Sequence, residues 1–104
     1  MLLVIDDERN LGGDIIVRNP AAARAVLNQM NFRGVNYLIT ELCIDFDLGF
    51  PETGDEIVRW AIENRCLPPR VQVVSMSPPG RKAIENILKD AGYEEKDGWW
   101  SIKC

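Results

Sequence analysis

The chain has 104 residues, of which 46% are hydrophobic and 27% charged, and its formal net charge at pH 7 is −4. This length allows one core, so we expect residues 1–104 to form a single domain. No run of Lys and Arg exceeds Arg81-Lys82, which argues against a basic face for sequence-specific DNA binding. Histidine is absent, so acid or base chemistry must come from carboxylates, water or a metal hydroxide.

The three cysteines, Cys43, Cys66 and Cys104, are odd in number and form no C-x-x-C motif. Neither a zinc site nor a disulfide framework is indicated, and we expect buried or incidental thiols. The apolar start, residues 1–5, ends at Asp6 and is too short for a signal peptide or a membrane span. These features predict a soluble cytoplasmic protein with no membrane partner.

The first part of the chain contains two strand patterns and one helix pattern. Leu2–Ile5 is a continuous apolar run, typical of a strand buried on both faces. Asp14–Arg18 predicts a short strand, and the gap before it is too short for a full crossover helix. Asn19 caps a helix that has Pro20 at its first position and ends near Met30.

The rest of the chain continues this alternation. A turn is predicted at Asn31–Asn36, followed by a strand Tyr37–Ile44 with a bulge or frayed start at Glu41. The next helix is capped by Thr53 or Asp55 and stops before Pro68-Pro69. The remaining elements are a strand Arg70–Val74, a helix Arg81–Ala91 that starts at Pro78-Pro79-Gly80, and a last strand Trp99–Lys103 after a turn at Asp97-Gly98. Strands alternating with helices predict a three-layer α/β/α domain with a mainly parallel sheet, helices on both faces and no first crossover helix.

Acidic side chains follow two of these strands. Asp45 and Asp47 come at the end of the third strand, and alternation there would place them on one face and Phe46 on the other. Asp6-Asp7-Glu8 follows the first strand. Open α/β sheets bind ligands at the carboxyl ends of their strands, so both groups mark a candidate site.

If the first and third strands are neighbours, Asp6, Asp7, Asp45 and Asp47 converge. At an effective dielectric constant near 20, each like-charge pair about 4 Å apart costs roughly 4 kcal/mol. Either some of these carboxyls are protonated or a divalent cation lies among them. Oxygen ligands favour Mg²⁺, Mn²⁺ or Ca²⁺ over zinc, and the alternative is a set of solvated strand-end carboxylates.

Because the rim is acidic, a phosphate-bearing partner would require such a cation. Ser75 and Ser77 follow the fourth predicted strand and could contact a phosphoryl group. The start of the next helix offers the Gly80 amide and the Arg81 guanidinium, unless it is an ordinary capped helix. Arg9 is a second candidate phosphate clamp, with a salt bridge to Glu8 or Asp7 as its alternative.

Four motifs in order resemble the receiver-like cyclic-phosphate processing family, and less closely the receiver domains of response regulators. The family patterns L-D-D-E-R, L-D-H-D-L-G, T-G and H-S-M-N-P-x-G-R are matched by Ile5-Asp6-Asp7-Glu8-Arg9, Ile44-Asp45-Phe46-Asp47-Leu48-Gly49, Thr53-Gly54 and Val74-Ser75-Met76-Ser77-Pro78-Pro79-Gly80-Arg81. The resemblance covers nearly the whole chain. It implies a receiver-like fold and a metal-dependent role on cyclic phosphates of nucleotides, RNA ends or ADP-ribose derivatives.

We therefore expect a metal-dependent phosphoesterase-like domain that uses Mg²⁺ or Mn²⁺. The expected metal ligands are Asp6, Asp7, Asp45 and Asp47, the catalytic residues are Asp45, Asp47 and Ser75, and the phosphate-binding residues are Arg9, Ser77, Gly80 and Arg81.

Two departures from the family pattern leave alternatives open. Phe46 and Val74 replace the family's two histidines, which favours a non-catalytic module that binds a cyclic nucleotide or a protein partner. A stand-alone receiver phosphorylated on Asp47 or Asp45 is a further alternative. The missing first helix counts against it, as does the lack of a receiver lysine other than Lys103.

Overall fold

The computed structural model describes residues 1–31 and 38–102. Within these ranges the elements are β1 (Leu2–Ile5), β2 (Ile15–Val17), α1 (Pro20–Met30), β3 (Glu41–Ile44), α2 (Gly54–Glu63), β4 (Arg70–Val73), α3 (Pro78–Asp90), β5 (Tyr93–Lys96) and β6 (Trp99–Ile102). The predicted α/β class is confirmed. The predicted turn at Asn31–Asn36 lies, apart from Asn31, outside the described residues.

The six strands form one sheet in the order β2-β1-β3-β4-β6-β5. The first four are parallel, and β6 runs antiparallel to both β4 and β5. The predicted neighbours β1 and β3 do pair, with Ile5 opposite Ile44, and Ile44 lies opposite Val73. This register brings the segments after β1, β3 and β4 to one edge of the sheet.

Each helix begins at a residue suited to that position. Asn19 and Ser77 accept hydrogen bonds from backbone amides of the first turns of α1 and α3. Both helices open with proline, whose missing N–H costs nothing there. Thr53 precedes α2 without a side-chain capping bond, while Asp55 and Glu56 place negative charge in its first turn.

The three helices lie side by side on one face of the sheet. Helix α2 packs against both α1 and α3. Each crossover moves across the sheet in the same direction, and right-handed connections then place the helices on the same face. One core joins these helices to alternate strand residues, among them Leu3, Ile5, Leu42, Ile44, Val71 and Val73.

The expectation of helices on both faces is therefore corrected for the part of the chain that the structure describes. The helix that would cover the second face is the crossover helix between β1 and β2, and the sequence correctly predicted its absence. Residues 6–14 form a loop in its place. No described helix is long and apolar enough to cross a membrane.

This loop covers part of the second face. A Cβ atom on Gly13 would lie 2.6 Å from the Val4 side chain, and Val4 is fully buried although it points away from the helices. Arg18 holds the loop by donating to the carbonyls of Asp6 at 3.1 Å and Arg9 at 2.8 Å. The loop is thus tied to the strand that follows it.

The rest of the second face is largely polar. Glu41 forms a salt bridge with Arg70, whose guanidinium lies 4.5 Å from the centre of the Trp99 ring. Glu41 is the first residue of β3 and pairs in register with Leu2 and Arg70, so the strand contains no bulge there. Residue 37, where the predicted strand began, lies outside the described residues. Residues 38–40 are not in the strand, which agrees with the other predicted alternative, a frayed start.

The chain closes the sheet with a β-hairpin. Its turn at Asp97 and Gly98 was predicted, and both residues adopt positive φ, +55° and +85°. The strand before the turn, β5, was missed because Glu94, Glu95 and Lys96 give it no apolar alternation. The last predicted strand is confirmed as β6, while residue 103 lies outside the described range.

Candidate functional site

Three carboxylates meet at the carboxyl edge of the parallel strands. Asp6 and Asp7 follow β1 and Asp45 follows β3, and each offers an oxygen within 4.8 Å of the other two. Asp6 is buried, Asp45 is partly buried and Asp7 is exposed. This all-oxygen donor set fits Mg²⁺ or Mn²⁺.

Asp6 is the most constrained of the three. Its Oδ1 accepts hydrogen bonds from the amides of Glu8 at 2.9 Å and Arg9 at 3.0 Å, and its Oδ2 accepts one from Arg9 Nε at 2.8 Å. Burial by itself raises the pKa of Asp6. The two amides and the Arg9 charge together outweigh that effect, so the pKa is lowered and the carboxyl is ionised.

The Arg9 guanidinium connects the ends of three strands. Besides Asp6, it lies 3.5 Å from Asp45 Oδ2 and donates a 2.7 Å hydrogen bond to the Val74 carbonyl. A salt bridge was the alternative role expected of Arg9 from the sequence, and Arg9 does form ion pairs. Its partners are Asp6 and Asp45, however, rather than Glu8 or Asp7. A phosphate contact from Arg9 would have to share these bonds.

The surroundings of Asp45 raise its pKa, whereas those of Asp6 lower the pKa of that carboxyl. Burial raises its pKa, and the negative charge of Asp6 raises it further, while hydrogen bonds from the amides of Phe46 and Asp47 and the charge of Arg9 only partly compensate. Three carboxylates and one guanidinium leave a formal charge of −2. A divalent cation would neutralise that charge.

Asp47 lies outside the three-carboxylate cluster. It is exposed, and its Oδ1 accepts a 3.0 Å hydrogen bond from the Gly49 amide. Because β3 ends at Ile44, strand alternation does not extend to residues 45–47. Three of the four predicted metal ligands therefore come together, and Asp47 is placed at the rim.

A cleft of about 400 Å³ opens beside the cluster, and its lining residues are Asp7, Glu8, Asp45, Asp47, Ser75, Met76 and Ser77. Four of them, Asp45, Asp47, Ser75 and Ser77, were predicted as catalytic or phosphate-binding residues. Glu8 and Met76 were not assigned to the site. Met76 could have been predicted to line the cleft, because it lies between the two serines in the sequence.

The two serines are fixed by each other. Ser75, 7% exposed, accepts a 3.1 Å hydrogen bond from the Ser77 amide and donates a longer one, 3.4 Å, to the Ser77 carbonyl. Ser77 then caps α3. The Ser75 hydroxyl is close enough to the cleft to contact a ligand there if it gives up its long bond.

The start of α3 offers few amides to an anion. Pro78 and Pro79 have no N–H, and the amides of Gly80 and Arg81 donate to Ser77, at 3.4 Å to its hydroxyl and 2.8 Å to its carbonyl. The Arg81 guanidinium is 3.6 Å from Glu85. Neither Gly80 nor Arg81 lines the cleft, so their predicted phosphate contacts require a ligand that extends beyond it.

Gly80 has a packing role next to the site. A Cβ atom at this position would lie 2.4 Å from the Phe46 ring. Phe46, which stands where the resemblance implies a histidine, is partly buried against the core. Its ring therefore supports the start of α3, and it is not among the residues that line the cleft.

Gly54 positions Asp45 through the backbone. Its amide donates a 2.8 Å hydrogen bond to the Phe46 carbonyl. A Cβ atom on Gly54 would lie 2.1 Å from the Asp45 carbonyl oxygen, so only glycine allows this approach. The Thr53-Gly54 motif thus holds the end of β3. Lys103, the one candidate for a receiver lysine, lies outside the described residues.

The chain matches the model of one known protein family. The model of the cyclic-phosphate processing Receiver domain matches residues 1–90, which include the three carboxylates, both serines and the start of α3. No curated protein and no solved structure gives a significant match. The family match covers everything up to the β5–β6 hairpin, and the chain therefore belongs to the family of cyclic-phosphate processing receiver domains.

Proposed function

We propose that this protein is a metal-dependent phosphoesterase-like domain that acts on cyclic phosphates of nucleotides, RNA ends or ADP-ribose derivatives. The observation that carries the proposal is the approach of Asp6, Asp7 and Asp45 to within 4.8 Å of one another, next to a cleft that also exposes serine and carboxylate groups. The family membership supports the substrate class.

Asp6, Asp7 and Asp45 would hold Mg²⁺ or Mn²⁺. When bound, such a cation polarises a phosphoryl oxygen and lowers the pKa of a bound water. Arg9 already neutralises one of the three carboxylates, and it holds Asp6 in its ionised, ligand-competent form. The cluster is thereby arranged for a divalent cation and disfavours a free anion.

The side chains of the cleft would handle the phosphate ester. Hydrolysis forms a bond from water oxygen to phosphorus, breaks one ring P–O bond, and moves a proton from the water to the departing oxygen. Asp47, which lines the cleft and is exposed, would accept the water's proton. Ser75 and Ser77 would orient phosphoryl oxygens through their hydroxyls.

The test is an assay of the purified protein with Mg²⁺ or Mn²⁺ and a panel of cyclic phosphates, following both hydrolysis and binding heat. We expect turnover that chelation abolishes and that Asp45→Asn and Asp47→Asn each remove. Asp90→Asn is the matched control, since Asp90 is the last residue of α3 and does not line the cleft, and it should retain full activity. Retention of turnover by both site variants would contradict the proposal.

One observation favours a second function, that of a binding module without catalysis. Phe46 packs beneath Gly80 in place of the family's histidine, and an aromatic hydrocarbon ring supplies no proton. Metal-dependent binding heat without turnover in the same assay would support this alternative. A stable aspartyl phosphate formed from acetyl phosphate would instead replace both functions with that of a phosphorylated receiver.

A further inference from the structure

We propose that Met76 determines specificity at this cleft by contacting the nucleoside portion of the ligand. The inference rests on the proposed function and deepens it: the site would recognise a nucleoside cyclic phosphate rather than a cyclic phosphodiester in general. Met76 is 88% exposed, the highest value among the large hydrophobic residues described as exposed. Among the residues that the structure describes, it is also the one apolar residue that lines the cleft.

The position of Met76 is fixed even though its side chain is exposed. Ser75, on one side, is buried and hydrogen-bonded to the amide of Ser77. Ser77, on the other side, caps α3. With both neighbours held, the backbone of residue 76 presents its side chain to the cleft, and the exposure does not reflect a loose segment.

The rest of the cleft cannot recognise an organic group by apolar contact. Its other lining residues are carboxylates and serines, which suit a cation and phosphoryl oxygens. A nucleoside joined to that phosphate has an aromatic base and a ribose that need a contact of another kind. Methionine suits this task, because its flexible thioether adapts to ring faces and edges.

Burial of an exposed methionine side chain against a base is worth enough to set specificity. Transfer of such a side chain from water to an apolar contact contributes about tenfold or more in affinity. The contact adds nothing for a small cyclic phosphate that lacks a base. Specificity should therefore depend on Met76, while binding of the cation and the phosphate should not.

The experiment compares two probes in the presence of Mn²⁺: a nucleoside 2′,3′-cyclic phosphate and ethylene cyclic phosphate, which has the same five-membered ring and no nucleoside. The preference is the ratio of kcat/KM values if the probes are hydrolysed, or of Kd values if they are only bound. We expect wild type to prefer the nucleoside probe at least tenfold. Met76→Ser should lose most of this preference without changing Mn²⁺ affinity, and Met76→Leu should keep it.

Phe50→Ser is the matched control, since Phe50 is 51% exposed but does not line the cleft, and it should behave as wild type. An unchanged preference in Met76→Ser would overturn the inference and leave the proposed function intact. If wild type binds Mn²⁺ but neither cyclic phosphate, the proposed function fails and the inference with it. Equal wild-type recognition of the two probes overturns the inference alone.

Discussion

Arg9 Nε and Asp6 Oδ2 lie 2.8 Å apart, and this ion pair joins the loop that replaces the first crossover helix to the buried floor of the candidate site. The same guanidinium also reaches Asp45 and the carbonyl after β4. Arg9 thus acts as an internal counterion for the carboxylate cluster, and the stability of the metal-free protein should depend on it.

Arg9→Met should destabilise the metal-free protein by about 1–3 kcal/mol, since a buried carboxylate loses its charged partner while Arg9 itself is partly exposed. Urea unfolding in EDTA measures this loss. Added Mg²⁺ or Mn²⁺ should recover much of it and bind more tightly than to wild type. Arg24→Met, which breaks the Arg24–Glu52 pair, is the control and should show no metal dependence. Equal losses with and without metal would contradict the counterion role.

Asp45→Asn should stabilise the metal-free protein at pH 7, on the order of 1 kcal/mol. The pKa of Asp45 is raised in the folded state by burial and by Asp6, so ionisation costs the native state stability as pH rises above the ordinary Asp value. The gain should therefore shrink as pH falls towards about 3, where the carboxyl is protonated in both states. Thermal unfolding across this pH range measures it, and the exposed Asp47→Asn serves as the control.

Asp6→Asn should show the opposite pH dependence. The pKa of Asp6 is lowered in the folded state, so its carboxylate stabilises the protein above the ordinary Asp pKa, and this contribution is lost as pH falls through the lowered folded-state pKa. The variant should be less stable than wild type at pH 7, and the difference should narrow in acid. A difference that widened in acid would be inconsistent with this assignment.

Gly80→Ala should destabilise the protein by about 1–3 kcal/mol, because the added methyl group would lie 2.4 Å from the Phe46 ring. For a domain of this size, each 1 kcal/mol corresponds to a fall in Tm of about 4–8 °C. A double-mutant cycle with Phe46→Ala provides the control. The double variant should lose less stability than the sum of the two single variants, and strict additivity would exclude the contact as the cause.

Cys43 and Cys66 should resist alkylation in the native state. Both are buried, and burial raises the pKa of each thiol, that of Cys66 to about 11. At pH 8 this leaves roughly a hundredfold less Cys66 thiolate than an ordinary cysteine has. Peptide mapping after iodoacetamide treatment, with and without urea, measures the difference. Rapid labelling of either residue in the absence of urea would be the contrary result.

The sequence predicted the fold best where a strand has a clear apolar pattern of its own and also lies in the parallel part of the sheet. The apolar runs of β1 and β3 end directly at Asp6 and Asp45, so pairing of these strands was enough to bring the carboxylates together. Asp47 is different, because its position depends on the loop conformation after β3 rather than on strand alternation.

The features that sequence patterns missed depend on the arrangement of whole elements. The charged segment of β5 is a strand because β6 pairs with it, although its own residues do not favour one. The common face of the three helices follows from the order of the strands, which no single helix pattern contains. The partner choice of Arg9 likewise depends on a loop that has no periodic pattern.

The alternation within β6 has a practical consequence for spectroscopy. Trp100 is buried in the core beneath the helices, whereas Trp99 lies on the opposite face beside the Arg70 guanidinium. Two adjacent indoles thus sample the two sides of one sheet. With Trp60 replaced by Phe, variants retaining either indole alone would provide separate fluorescence signals for loosening of the helical layer and of the helix-free face.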